Sequence, residues 1–240
     1  MSRPLIETRG LVKHFGGVQA IRGVDFALAE GELRCLIGPN GAGKSTFFKL
    51  LTGQIKPTNG SVTFRGIDIT TLQAHEIARL GIGVKTQVPS IFNGLSVRDN
   101  LWVSAARHKK GKAIAQAVET QIERLMLGRF ANSLTGQLAH GQRQRVELGL
   151  VLCGEPNLIL LDEPAAGMTE EERARTAELI LEINRDHPLI VVEHDMSFIR
   201  SIARRITVFN QGAILMEGDV DEVFSSQAVR DVYLGKKAAA

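Results

Sequence analysis

The sequence predicts an α/β protein built on a parallel sheet with helices on both faces. Three observations carry this reading. Strand-length runs at 33–37, 158–161 and 189–192 are almost wholly apolar, helical stretches alternate with those runs in the second half, and glycine-containing turns separate the strands of the first third. A strand covered on both faces reads as a continuous apolar run, and strand–helix alternation is how a parallel sheet looks in sequence.

In order along the chain, short strands are expected at 5–8, 24–29, 33–37 and 61–64, set apart by Gly16-Gly17, Glu30-Gly31 and Asn59-Gly60. A helix follows at 45–52 and is closed by Gly53 and Pro57. From about 96 to 129 the character changes. Ile114, Ala117, Val118, Ile122 and Leu125 recur at helical spacing with polar residues between them, which predicts a separate helical lobe. Beyond it the pattern gives helices at 141–153, 170–185 and 196–202, and strands at 158–161, 189–192, 205–209 and 213–217. Residues 236–240 carry no patterning and are expected to fray.

Composition bounds the function. The chain has 240 residues with a formal net charge of +3, and its Lys and Arg residues are dispersed rather than gathered in a stripe. That argues against a nucleic-acid partner. At 44% hydrophobic and 23% charged, it is ordinary globular material for one large domain or a domain with a small lobe. No apolar run approaches the roughly 18–20 residues of a membrane span. The opening MSRPLIETRG has no signal-peptide core, so a cytoplasmic location is expected. Cys35 and Cys153 sit far apart in apolar surroundings and read as buried free thiols.

Chemistry is concentrated in two segments. Gly38-Pro39-Asn40-Gly41-Ala42-Gly43-Lys44-Ser45 fits the phosphate-loop pattern GxxxxGK[ST], with Thr46 next. Backbone N–H groups must converge on phosphate oxygens, which bulky side chains would block, and the following helix aims its positive end at the same place. Lys44 supplies a point charge for the terminal phosphates and Ser45 a hydroxyl for Mg²⁺. The second segment is the apolar run Leu158-Ile159-Leu160-Leu161 ending in Asp162-Glu163-Pro164. It puts two carboxylates at the sheet's carboxyl edge, one for Mg²⁺ and one to orient an attacking water. Together these predict a nucleoside triphosphatase.

Between the two lies Leu138-Ala139-His140-Gly141-Gln142, which resembles the LSGGQ signature of ATP-binding-cassette (ABC) ATPases. Gln87 matches that family's Q-loop glutamine, His194 its switch histidine, and Phe15 the aromatic that stacks on adenine, with Phe26 a second aromatic nearby. The resemblance runs from about residue 5 to 235. It implies a P-loop NTPase core of ABC type with an antiparallel β subdomain and a helical subdomain. Taken as one ABC ATPase domain over 1–240, it divides into a core at about 1–87 and 155–240 and a helical part at about 88–154. It further implies ATP and Mg²⁺ as ligands, with Ser45, Gln87 and Asp162 near the metal and Glu163, His194 and Gln87 in catalysis. In such ATPases the signature completes the ATP site of a second ATPase subunit, identical or different. Two membrane permease subunits dock on the pair at the cytoplasmic face of the membrane, and a solute-binding protein acts indirectly.

Within the family, Asp162-Glu163-Pro164-Ala165-Ala166-Gly167-Met168 and Val192-Glu193-His194-Asp195-Met196 resemble the ATPases of branched-chain amino-acid importers, as does the ending Val232-Tyr233-Leu234-Gly235. Urea and short-amide importers, and exporters of the lipopolysaccharide type, are the alternatives. Two departures stand out. Ala139 replaces the signature serine and His140 the following glycine, while Thr169 falls near the usual D-loop aspartate.

Overall fold

The computed structural model describes residues 3–86 and 90–234. Gln87, Gly235 and the tail at 236–240 lie outside the described residues. In chain order the elements are β1 (Ile6–Phe15), β2 (Val18–Leu28), β3 (Leu33–Ile37), α1 (Lys44–Leu51), β4 (Asn59–Phe64), β5 (Ile67–Asp68), α2 (Ala74–Arg79) and β6 (Ile82–Lys85). There follow α3 (Val97–Ala105), α4 (Lys112–Arg124), α5 (His140–Leu152), β7 (Leu158–Asp162), α6 (Glu170–Asn184) and β8 (Leu189–Val192). The chain continues through α7 (Met196–Ile202), β9 (Arg205–Asn210), β10 (Ala213–Gly218), α8 (Val220–Ser225) and α9 (Gln227–Leu234).

Two sheets organise these elements. An antiparallel sheet runs β2-β1-β4-β5, and a six-stranded sheet runs β10-β9-β3-β8-β7-β6. In the second sheet every pairing is parallel except β10 with β9, so the expected all-parallel sheet carries one antiparallel edge strand. The reason is local. Gln211 and Gly212 turn the chain straight back with positive φ of 48° and 81°, leaving no room for a crossover helix.

β1 and β2 are 10 and 11 residues long, about twice the expected strands. Their outer halves carry exposed polar residues and a register irregularity between Thr8 and Leu11, which hid them in the sequence.

The apolar runs are explained by cover on both faces. Cys35, Ile37, Ile159, Leu161, Leu189 and Val191 feed one core cluster with α5, α6 and α7. Leu36, Leu158, Leu160, Ile190 and Val192 feed another with α1 and the antiparallel sheet. Burying these side chains stabilises the fold at about 25 cal/mol per Å² of apolar area removed from water. Cys35 and Cys153 are both buried and unbridged. The helices at 97–124 pack on α5, burying Val97, Leu101, Val118 and Ile122. Ser96 starts α3 as its N-cap, accepting from the Asp99 amide.

Candidate active site

The phosphate loop springs from the end of β3. Gly38 has φ +150°, and a Cβ there would stand 2.3 Å from the Phe209 carbonyl of β9. Gly43, the N-cap of α1, has φ +105°, and a Cβ would stand 2.8 Å from Ala20 O. Both positions therefore require glycine. Pro39, Asn40, Gly41 and Ala42 form the loop itself, pinned from below by Gly212 N–H donating to Ala42 O at 2.9 Å. Lys44, 9% exposed, donates from Nζ to Gly38 O at 2.5 Å and Pro39 O at 3.1 Å. Burial pushes its ammonium below the ordinary lysine range, opposed by the carboxylates of Glu163 and Asp162. Ser45 and Thr46 follow in the first turn of α1.

Asp162 ends β7, paired with Val192 of β8. Its Oδ1 is buried without a hydrogen-bond partner. Burial raises its carboxyl above the ordinary value of 3.8, and the neighbouring Glu163 adds to the rise. An orphaned acceptor beside the lysine of a phosphate loop suits a hydrated divalent cation. No cluster of three or more metal-ligating side chains occurs among the described residues.

Glu163 has φ +48°, a left-handed backbone that a glutamate adopts only under constraint. The constraint is visible: its N–H donates to Val192 O at 2.9 Å, and its Oε1 sits 3.2 Å from His194 Nδ1. Between these loops lies Glu193, 1% exposed, whose role no local sequence pattern shows. It accepts from Ala165 N–H at 2.9 Å and from His194 N–H at 3.0 Å, joining the segment after Glu163 to the one carrying His194. Arg173 makes a second strut, donating to Asp195 at 2.9 Å, while Asp195 caps α7 by accepting from Ser197 and Phe198.

Of the two aromatics, Phe26 is 3% exposed and packs edge-on against Phe47 at 5.4 Å. Phe15 is 49% exposed at the end of β1, with Lys13 Nζ 5.2 Å from its ring centre. Only Phe15 has a free face. In the signature, Leu138 is partly buried against the core, and Ala139 occupies the N-cap of α5, where it offers no side-chain acceptor. Gln142 reaches back to accept from Ala139 N–H at 3.0 Å. His140 and Gly141 begin the helix. Thr169 caps α6, accepting from Glu172 N–H. The structure thus gathers Lys44, Asp162, Glu163 and His194 around one edge of the sheet and sets the signature on its own helix. Gln87 lies outside the described residues.

A phosphate loop at the carboxyl edge of a mostly parallel sheet, faced by two carboxylates, defines a nucleoside-triphosphate-binding α/β protein. The chain belongs to the ABC transporter family, whose model matches residues 21–166. It is 35% identical to the high-affinity branched-chain amino acid transport ATP-binding protein BraF of Pseudomonas aeruginosa, over 98% of this chain and 100% of that one. A nucleotide-free ATP-binding cassette from an ABC transporter superposes with a TM-score of 0.87 at 27% identity, covering 98% of this chain and 100% of that one. The dimeric post-hydrolysis cassette MJ0796, bound to ADP and Pi, superposes at 0.79 with 25% identity, covering 90% and 98%. The chain is an ATP-binding, ATP-hydrolysing subunit of such a transporter, and no helix among its described residues is long and apolar enough to cross a membrane.

Proposed function

We propose that this chain drives import of branched-chain amino acids from the cytoplasmic face of the membrane, paired with a second ATPase subunit and docked on two permease subunits. Full-length identity of 35% to BraF carries the reading, because it extends past the shared phosphate loop to both ends of the chain. The cassette spans 1–240 with a helical part near 88–154. A groove of about 500 Å³ between core and helical lobe, lined among others by Arg79, Lys85, Phe92, Val103 and Arg107, suits a permease helix. Of these, Phe92 is 57% exposed.

The arrangement of the described residues, together with the family resemblance, supports the following roles. The loop amides at 38–45 and the α1 N-terminus hold the β and γ phosphates, with Lys44 shifting from its loop carbonyls to phosphate oxygens. Phe15 stacks on the base. Ser45, Asp162 and Gln87 would hold Mg²⁺, which supplies charge neutralisation on the phosphates when bound. Glu163 orients the attacking water and accepts its proton, fixed by its strained backbone and its contact with His194. His194 contacts the γ-phosphate, and Glu193 holds it in register with Glu163. The signature residues 138–142 complete the ATP site of the paired subunit.

The decisive experiment reconstitutes the chain with its co-encoded ATPase, permeases and binding protein in vesicles. Leucine, isoleucine or valine should stimulate hydrolysis and accumulate. Stimulation by urea or a short amide instead overturns the substrate assignment, and transport of lipid outward overturns import.

A further inference from the structure

We propose that His140 is a positioning residue that ties the signature to the loop carrying Glu163. The surface offered to one nucleotide and the carboxylate acting on the other then move as one body. The inference rests on the two-subunit reading above.

His140 follows the N-cap Ala139, and its ring folds back onto its own chain. Nε2 lies 2.9 Å from Ala166 O, three residues beyond Glu163. The amide nitrogen of Gln144, one turn along α5, lies 3.4 Å from the same atom. A carbonyl only accepts, so Nε2 carries the hydrogen and donates to Ala166 O; the Gln144 amide nitrogen is then a packing neighbour and not a hydrogen-bond partner. The turn at Gly167, φ +71°, lies against the same ring: a Cβ there would meet His140 Nε2 at 3.4 Å.

A second contact reinforces the first. Glu172 of α6 lies under the signature, its Oε1 2.6 Å from where a Cβ on Gly141 would stand. Its other oxygen accepts from Thr169 N–H at 3.0 Å. A carboxylate there also suits the positive N-terminus of α5.

On the opposite side, residues 163–173 are fixed to 193–195 by the Glu163–His194 contact and by the Ala165–Glu193 and Arg173–Asp195 bonds. Signature, catalytic loop and histidine loop therefore form one braced unit. A glycine at 140 would lack the ring contacts on which half of the brace depends.

The test isolates the site that His140 does not touch. In the assembled ATPase pair, the partner subunit's phosphate-loop lysine is replaced by alanine (Lys44→Ala if the partner is a second copy). This silences the site completed by the signature of this chain. The remaining site contains Lys44 and Glu163 of this chain and the signature of the partner. With His140→Gly in this chain, kcat at that site should fall about three- to tenfold while KM for ATP holds within about twofold. His140→Gln, whose amide can still donate to Ala166 O, should recover most of the loss. Unchanged kcat with His140→Gly overturns the proposal, and so does a loss that His140→Gln leaves in full. If the unaltered pair hydrolyses ATP no faster than the two chains measured separately, the two-subunit reading fails instead, and the proposal with it.

Discussion

Replacing Asp162 by asparagine should stabilise the protein while removing its activity. Asp162 has a buried, unpartnered Oδ1 and a neighbouring carboxylate in Glu163, offset in part by Lys85. An unsatisfied buried acceptor costs about 1–3 kcal/mol, more when charged. Asparagine removes the charge and can turn its amide toward Glu163, so a gain of about 1 kcal/mol is expected, or roughly 2–4 °C in Tm for a chain of this size.

The pH dependence gives the sign. The folded carboxyl is raised above its ordinary value of 3.8, so the folded chain keeps a proton that the unfolded chain has released. Stability contributed by Asp162 therefore falls as pH rises through that window. The pH-dependent part of the advantage of Asp162→Asn should be absent well below pH 3.8, grow as pH rises past that value, and be complete once Asp162 has ionised in the folded wild type.

Differential scanning calorimetry of both proteins without nucleotide, repeated across that range, measures the gain. Adding Mg²⁺ and ATP should reverse the order, because only the wild type couples binding of the metal nucleotide to folding. An equal or lower Tm for the variant at neutral pH would refute the reasoning, since it would mean that Lys85 fully compensates the charge.

Lys44→Ala should weaken ATP binding about 10- to 150-fold through loss of a charge-assisted phosphate contact of about 1.5–3 kcal/mol, read by calorimetric titration. Glu163→Gln should bind ATP normally yet accumulate as an ATP-bound dimer in gel filtration, with hydrolysis slowed at least about a hundredfold. Glu147→Gln should cost about 1–3 kcal/mol in urea unfolding, because it takes from Lys85 its ion-pair partner, 3.6 Å away and equally buried, and leaves the charge to Asp162 and Glu193. The double change Lys85→Met with Glu147→Leu should recover most of that loss. Ala139→Ser should raise the Tm of the isolated chain by capping α5, worth about 0.5–2 kcal/mol, and should speed hydrolysis at the site of the paired subunit.

What could be read from the sequence was contiguous. The phosphate loop, the Asp162–Glu163 pair and the signature are short strings whose chemistry depends on near neighbours. The apolar strands were equally plain, because cover on both faces leaves no polar positions. Glu193 escaped notice because its role comes from the pairing of β7 with β8, which sets Asp162 beside Val192 and brings Ala165 within reach of the next glutamate. The resemblance favours Phe15 over Phe26, and burial supplies the physical difference between them. The brace made by His140 depends on how α5 meets residues 163–167, which no local pattern encodes. The replacement of the signature serine by Ala139 is legible in the string, whereas the side-chain cap that α5 thereby lacks shows only at the helix start. The helices α2 and α8, six residues each, were too short for periodicity to register.

The turn at Gly212 has a consequence for how the molecule is made. This residue donates to Ala42 in the phosphate loop and accepts from Arg22 of β2 at 2.8 Å, while Phe209 just before it backs Gly38. β3, which launches the loop, is flanked by β8 and β9, strands synthesised more than 150 residues later. A nascent chain thus carries the complete string 38–45 long before it owns anything that can grip a phosphate. Such long-range closure is slow and leaves apolar strands uncovered meanwhile. A fragment ending before residue 209 would score as a nucleotide binder by its letters and bind none. The ability to hold ATP is then a late certificate that the whole sheet has closed.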